Sequence, residues 1–216
     1  MRIRNKNMQK IGRWQMIYYS IKQALASQHV DRVIVNTDSA AIARFSRKHG
    51  AMIPFLRNAR LAQSQTTSSE VVLDTIKRYE AQRITYDIIV WLQPTSPLRT
   101  AEDIDLALEL LVREKADSVV SVRAPAENTG FFKRVQSNGI VVESSPFRPL
   151  RPSASGIYKL NGAIFIARWN EMKKQKTLIG KNCIAFPMPE ERSVDIDTPF
   201  DLLIARALQD NKNECS

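Results

Sequence analysis

The chain has 216 residues, 44% of them hydrophobic, and a formal net charge of +10. That suits one α/β domain with a small appendage, while no apolar run approaches the roughly 20 residues that span a bilayer. The basic N-terminus, Met1 to Lys6, has no apolar stretch behind it to mark a secretory signal. Cys183 and Cys215 cannot build a disulfide framework and fit a reducing, cytoplasmic setting. With His29 and His49 they give no zinc spacing, so any metal would be a hard cation on carboxylates.

The charge is unevenly placed. Residues 1–60 hold 12 Lys and Arg against two acids, Asp31 and Asp38, and the rest of the chain balances with 20 of each sign. The asymmetry points to a polyanionic ligand at the N-terminal segment, with nucleic acid and a nucleoside triphosphate both open. Arg44, Arg47 and Lys48 fall on the wet face of an apolar-striped helix. Lys6, Lys10 and Arg13 precede the first clear helix and are the better ligand candidates.

Trp14 to Gln28 has helical spacing, with Met16, Ile17, Tyr18, Ile21 and Leu25 as its stripe. Asp31 to Asn36 is a short strand ending at Thr37-Asp38-Ser39, the cap of a helix that carries Ile42, Ala43 and Phe45 and stops at Gly50. Met52 to Phe55 is a further strand, Leu61 to Ser69 a polar loop, and Glu70 to Arg83 a helix with Val71, Val72 and Ile76 inward. The apolar run from Ile88 to Leu92 has the pattern of a strand buried on both faces. Pro94 and Pro97 then remove two donors and force the chain out of the sheet. Thr100 with Asp103 opens the next helix, Glu102 to Glu114, in the manner of a capping box. Ser118 to Val122 is another strand. This alternation implies an α/β fold with a mostly parallel sheet and right-handed crossovers.

Residues 124–160 break the pattern with Pro125, Pro146, Pro149 and Pro152, and with strand-like pieces at Phe131–Val135 and Ile140–Val142. They read as a hairpin or arm that leaves the sheet and can reach a partner subunit. Ala163 to Ala167 returns as a core strand. Ser193 to Asp201 leads into a last helix from Asp201 to about Gln209, with Pro199 at its start.

A strand, a rigid polar loop and a helix start are how an open α/β sheet presents a ligand site. Gln93, Thr95, Ser96 and Arg99 then face a crevice, unless the prolines make only a structural turn. Asp195 and Asp197 are the sharpest pair. Two apart in an extended segment, they point to one side, and carboxylates so close repel unless one protonates or a cation neutralises them. Mg²⁺, held by one or two carboxylates plus substrate phosphates, resolves that repulsion. The alternative is that Asp197 or Thr198 only caps the last helix. Lys6-Asn7 suits phosphate or ribose, Arg148 and Arg151 a bidentate clamp on a carboxylate, and Asn161 stands at a strand mouth. No Ser-His-Asp or Cys-His arrangement is legible, so covalent nucleophilic catalysis is not expected.

Taken together, Arg32-Val33-Ile34-Val35-Asn36-Thr37-Asp38, Pro54-Phe55-Leu56-Arg57, Leu92-Gln93-Pro94-Thr95-Ser96-Pro97-Leu98-Arg99, Asn161-Gly162-Ala163-Ile164-Phe165 and Val194-Asp195-Ile196-Asp197-Thr198 resemble, in order, the N-acylneuraminate cytidylyltransferases, or CMP-sialic acid synthetases. The likeness covers nearly the whole chain and is nearer the sialic/legionaminic acid branch than the Kdo or pseudaminic acid branches. It implies a Rossmann-like nucleotide-diphospho-sugar transferase fold and a homodimer in which the 124–160 arm reaches the other subunit's site. It further implies CTP and a nonulosonic acid as substrates and Mg²⁺ as cofactor.

Residue by residue, the resemblance implies nucleotide contacts at Lys6, Asn7, Arg57 and Ser68, and sugar-acid contacts at Gln93, Arg151, Asn161 and Phe165. It implies a Mg²⁺-binding catalytic pair at Asp195 and Asp197. Phe165 stands where the family usually has Tyr, and Leu178-Ile179 about where it often has paired aromatics against the N-acyl group. Family members also begin with a strand and a Pro-Ala-Arg-x-x-Ser-Lys type loop just ahead of the residues that match Arg2 to Asn7; here Met1 stands where that loop should end. The expectation is a misplaced start codon or a shortened chain, with little CTP turnover by these 216 residues alone. An inactive paralogue is the alternative. The rival from another class is a basic nucleic-acid-binding module, which no aromatic-interleaved basic stripe supports.

Overall fold

The computed structural model describes residues 3–63, 65–124, 133–135, 141–143 and 158–214. Two short strands open it, β1 (Lys10–Ile11) and β2 (Trp14–Gln15), paired antiparallel about Gly12, whose φ of 56° suits glycine. This ribbon delays the first helix, so α1 runs Met16–Ala26 and does not include Trp14. Its buried face is Met16, Ile17, Tyr19, Ser20, Ile21 and Ala24. Tyr18 instead stacks on Trp14 with ring centroids 4.4 Å apart, and Leu25 is exposed.

Helix α2 (Ala40–Lys48) is capped by the Ser39 side chain and followed by Gly50 at φ 91°. The strands expected at 31–36 and 52–55 shrink to one parallel bridge, Ile34 with Met52. Val33 and Val35 bond only the Met52 backbone, and one such contact cannot propagate a ladder. Helix α3 (Ser68–Ala81) begins two residues before the sequence expectation, because Thr67 and Glu70 form a reciprocal capping box.

The central sheet has the order β3 (Ile88–Leu92), β7, β4, β8. Helix α4 (Ala101–Arg113) follows β3 and is capped by Thr100 and Asp103, as the sequence implies. Strand β4 spans Ser118–Arg123. Strands β5 (Lys133–Val135) and β6 (Val141–Glu143) make an antiparallel ribbon with no ladder to the central sheet. The remaining elements are β7 (Lys159–Arg168), α5 (Trp169–Gln175), β8 (Cys183–Pro187) and α6 (Pro199–Glu214). Helix α5 and strand β8 come from stretches where the sequence suggested no element.

Strands β3, β4 and β8 run in one direction, and β7 runs against them, antiparallel to both β3 and β4. Strand β3 is half-buried along its whole length, not buried on both faces, because its outer edge has no hydrogen-bonded neighbour among the described residues.

Helices cover both faces of the sheet. Ile104, Ala107, Leu108 and Leu111 of α4 pack on Val119, Ala163, Ile164 and Ile166. On the other face Val72, Ile76 and Tyr79 of α3 meet Ala167, Trp169, Met172 and Leu178. No helix among the described residues is long and apolar enough to cross a membrane.

Asp103, 2% exposed, carries more than its cap. It accepts from the Thr100 amide at 2.9 Å and takes both Nε and a terminal nitrogen of Arg192 at 3.0 Å. Asp103→Ala removes the reciprocal half of the α4 capping box and strips a half-buried arginine of its partner. It should lower unfolding stability by about 2–4 kcal/mol in a urea titration, and a loss under about 1 kcal/mol would contradict this reading.

Candidate active site

In the segment before α6, Ile196 is fully buried and its amide donates to the Thr95 carbonyl at 2.8 Å. Asp195 and Asp197 flank that anchor, and both line one cleft. Which residue caps α6 is also clear. Thr198 does so with Asp201, whose Oδ2 accepts from the amides of Asp197 and Thr198 and from the Thr198 hydroxyl at 2.7–3.0 Å. The Asp201 amide donates back to the Thr198 hydroxyl at 3.3 Å. Burial alone would raise the Asp201 carboxyl, but the Thr198 and Asp197 hydrogen bonds and the charge of Lys6 hold it below the usual range. The carboxylates of Asp195 and Asp197 are left free of capping duty.

Gly162, at φ 74°, is where the site closes. A Cβ there would lie 2.9 Å from Gln93 Oε1 and 3.4 Å from Asp195 Oδ2. Two side chains from distant segments therefore converge on a backbone that only glycine leaves open. Lys6 sits in a 3₁₀ turn, Lys6–Met8, with Asn7 beside it, and places its Nζ 2.8 Å from Asp197 Oδ1. An open cleft of about 620 Å³ runs past this group, with Arg123, Lys159, Glu190, Asp195 and Asp197 among its walls.

Asn161 also borders the cleft but is 3% exposed, and its amide is engaged internally. Its Oδ1 accepts from the Ser121 hydroxyl and the Ala163 amide, and its Nδ2 donates to Ser193 Oγ at 2.9 Å. The loop residues Ser96 and Arg99, expected to face the crevice, are turned inward at 0% and 1% exposure. Pro94 and Pro97 leave the loop short of backbone donors, and these side chains supply them. Ser96 Oγ donates to the Asn161 carbonyl, and Arg99 donates to Ser20 Oγ and to the Gln93 carbonyl.

The structure thus gathers Lys6, Gln93, Asn161, Asp195 and Asp197, with Asn7 next to Lys6 in its 3₁₀ turn. Other candidates stand apart, with no hydrogen bond or ion pair to that group among the described residues. Arg57 pairs with Asp38 at 2.7 Å. Burial would raise that carboxyl, but the Arg57 hydrogen bond, its own backbone amide and the Arg57 charge together hold it below the usual range. Ser68 is the first residue of α3. Phe165 lies on β7 opposite Trp91 and Val120, in the apolar cluster that contains Leu178. Arg148 and Arg151 lie outside the described residues. Sequence reasoning missed Arg123 and Lys159 in the cleft wall. A charge closing the otherwise uncharged run Ser118–Val122 was the available signal for the first.

The donor set fits a hard divalent ion. Asp195 Oδ1 is buried without a hydrogen-bond partner, the position of an oxygen that wants a cation. No group of three or more His, Cys, Asp or Glu suited to a metal exists among the described residues. Water and phosphate oxygens would therefore complete the shell, as is usual for Mg²⁺.

The profile of the cytidylyltransferase family matches residues 1–208. The chain is 30% identical over 214 residues to the post-translational flagellin modification protein B of Campylobacter coli, covering 98% of this chain and 91% of that protein. It is 30% identical over 216 residues to the CMP-N,N'-diacetyllegionaminic acid synthase of Legionella pneumophila, covering 99% and 93%. Among solved structures it is similar in fold to a CMP:2-keto-3-deoxy-manno-octonic acid synthetase complexed with CTP, with a TM-score of 0.69, 17% identity and coverage of 98% and 94%. The chain belongs to the cytidylyltransferase family.

Proposed function

We propose that this chain transfers the cytidylyl group of CTP to the anomeric hydroxyl of a nonulosonic acid of the sialic or legionaminic type. The hydroxyl oxygen bonds to the α-phosphorus, the bond from that phosphorus to the bridging oxygen of pyrophosphate breaks, and the hydroxyl proton leaves to solvent. The observation that carries this reading is the meeting of Gln93 Oε1 and Asp195 Oδ2 over Gly162, beside Asp197 and Lys6. One neutral amide and two carboxylates with a lysine are what an acidic sugar and a metal-bound triphosphate need at one place. The names of the relatives, which make CMP-linked sugar acids, support the same substrate class.

Asp195 and Asp197 would hold Mg²⁺. When bound, the ion supplies charge neutralisation on the phosphates and on the pyrophosphate as it departs. Lys6 turns from Asp197 to the triphosphate, and Asn7 accompanies it on the nucleotide. Gln93 orients the sugar acid, while Asn161 braces the β7 backbone that carries Gly162. Arg57, Ser68 and Phe165, which the structure leaves apart from this group, are assigned to nucleotide and sugar contacts by the family resemblance alone, and Arg151 belongs to the arm. Holding the reactants in line accounts for most of the rate in such a site. The reading includes a homodimer built through the arm. Of the twelve basic residues in the first sixty, Lys6 and Arg57 are paired with Asp197 and Asp38.

Asp197→Asn keeps size and removes charge. Under single-turnover conditions with CTP, Mg²⁺ and a legionaminic- or sialic-type acid, it should lower CMP transfer by at least about 100-fold while leaving the far-ultraviolet spectrum unchanged. Wild-type rates in that variant would sink the metal assignment. Gly162→Ala places a methyl against Gln93 Oε1, so the KM for the sugar acid should rise about 10-fold or more with CTP affinity retained. An equal loss for both substrates would show that the strain is not confined to Gln93.

A further inference from the structure

Arg99 is the largest of the side chains buried to under 2% exposure, and it carries a full charge into the floor of the site. A buried guanidinium is costly unless its charge and its donors are answered. One terminal nitrogen donates to Ser20 Oγ at 2.8 Å, the other to the Gln93 carbonyl, and Nε has no partner. Burial pulls its pKa down to about 9, against the opposing charges of Asp103 and Asp195, so it stays protonated at neutral pH.

Those two carboxylates are not equivalent. Asp103 is already engaged by Arg192 and by the Thr100 amide. Asp195 has a buried Oδ1 with no hydrogen-bond partner. The same loop is tied to β7 and to the segment before α6, through Ser96 Oγ to Asn161 O at 3.3 Å and Ile196 N to Thr95 O at 2.8 Å. Arg99 therefore braces from beneath the loop that bonds to both segments meeting over Gly162.

We propose that Arg99 is a positioning residue for the transfer reaction. Through the Gln93 carbonyl it fixes the backbone that aims the Gln93 amide over Gly162, and through the loop's bond to Ile196 it steadies the segment that carries Asp195. The proposal rests on the roles assigned above to Asp195 and Gln93. Lysine cannot replace it, because a point charge on a flexible stem cannot hold Ser20 and Gln93 at once.

The test uses the full chain and Mn²⁺ as a spectroscopic stand-in for Mg²⁺, its binding read by electron paramagnetic resonance with CTP present. Asp195→Asn should abolish tight Mn²⁺ binding. Arg99→Lys should weaken it about 10-fold and raise the sugar-acid KM by a similar factor, with the KM for CTP within about twofold of wild type. Ser20→Ala leaves the cleft untouched and removes one of Arg99's supports, so it serves as a second arm should Arg99→Lys fold poorly. It should weaken Mn²⁺ about two- to fivefold. If Asp195→Asn matters but both other variants bind Mn²⁺ and sugar acid like wild type, with only thermal stability reduced, Arg99 is a structural buried ion and the proposal is overturned. If Asp195→Asn binds Mn²⁺ normally, the metal assignment falls and the proposal with it.

Discussion

Three segments distant in sequence meet at Gly162, and the order of the site depends on how tightly they can approach there. The loop after β3 brings Gln93, the start of β7 brings the glycine, and the stretch before α6 brings Asp195. Few direct bonds hold them: Ile196 N to Thr95 O, Ser96 Oγ to Asn161 O, and the donors of Arg99 beneath. Each is buried, so each is stronger than its counterpart in water and costly to leave unmade. The sheet sets the distance between the segments, and these bonds set the angle. Backbone approach is the scarce quantity, and a side chain at 162 would use it up.

Much of this was legible from residue types. The Pro-Thr-Ser-Pro run had to leave the ladder, and the Thr100–Asp103 cap had to open a helix. Asp195 and Asp197, two apart, had to share a side. Other points depended on tertiary partners that a single sequence does not display. Thr198 could have been capped by Asp197, and only the position of Asp201 one turn later shows that both site carboxylates are spared. Ser96 and Arg99 look like crevice residues by composition, yet the backbone's need for donors turns them inward. The strand expected at Asp31–Asn36 has the right residues, but a strand needs neighbours, and among the described residues it finds only Met52. The reversed direction of β7 was hidden because periodicity carries no sign.

The charge distribution takes on a clearer meaning in this setting. An excess of lysine and arginine confined to the first sixty residues suggested a polyanion without saying which. In the structure one of those lysines, Lys6, is already bonded to Asp197, at the acidic mouth of the cleft. A site that must hold both a triphosphate and its metal needs both signs of charge within a few ångströms, and each can neutralise the other while the substrates are away. A half-exposed pair of this kind contributes little to stability, so its rearrangement on binding costs little.

The central claim is that Asp195 and Asp197 form the metal-binding half of a CTP site. Crystals of the chain grown with CTP and Mn²⁺, measured at a wavelength where manganese scatters anomalously, test it most directly. The account predicts one anomalous peak within about 2.5 Å of a carboxylate oxygen from each aspartate and bridged to phosphate, with Lys6 turned to the triphosphate. A peak on the triphosphate alone, with the Lys6–Asp197 pair still closed, would contradict it.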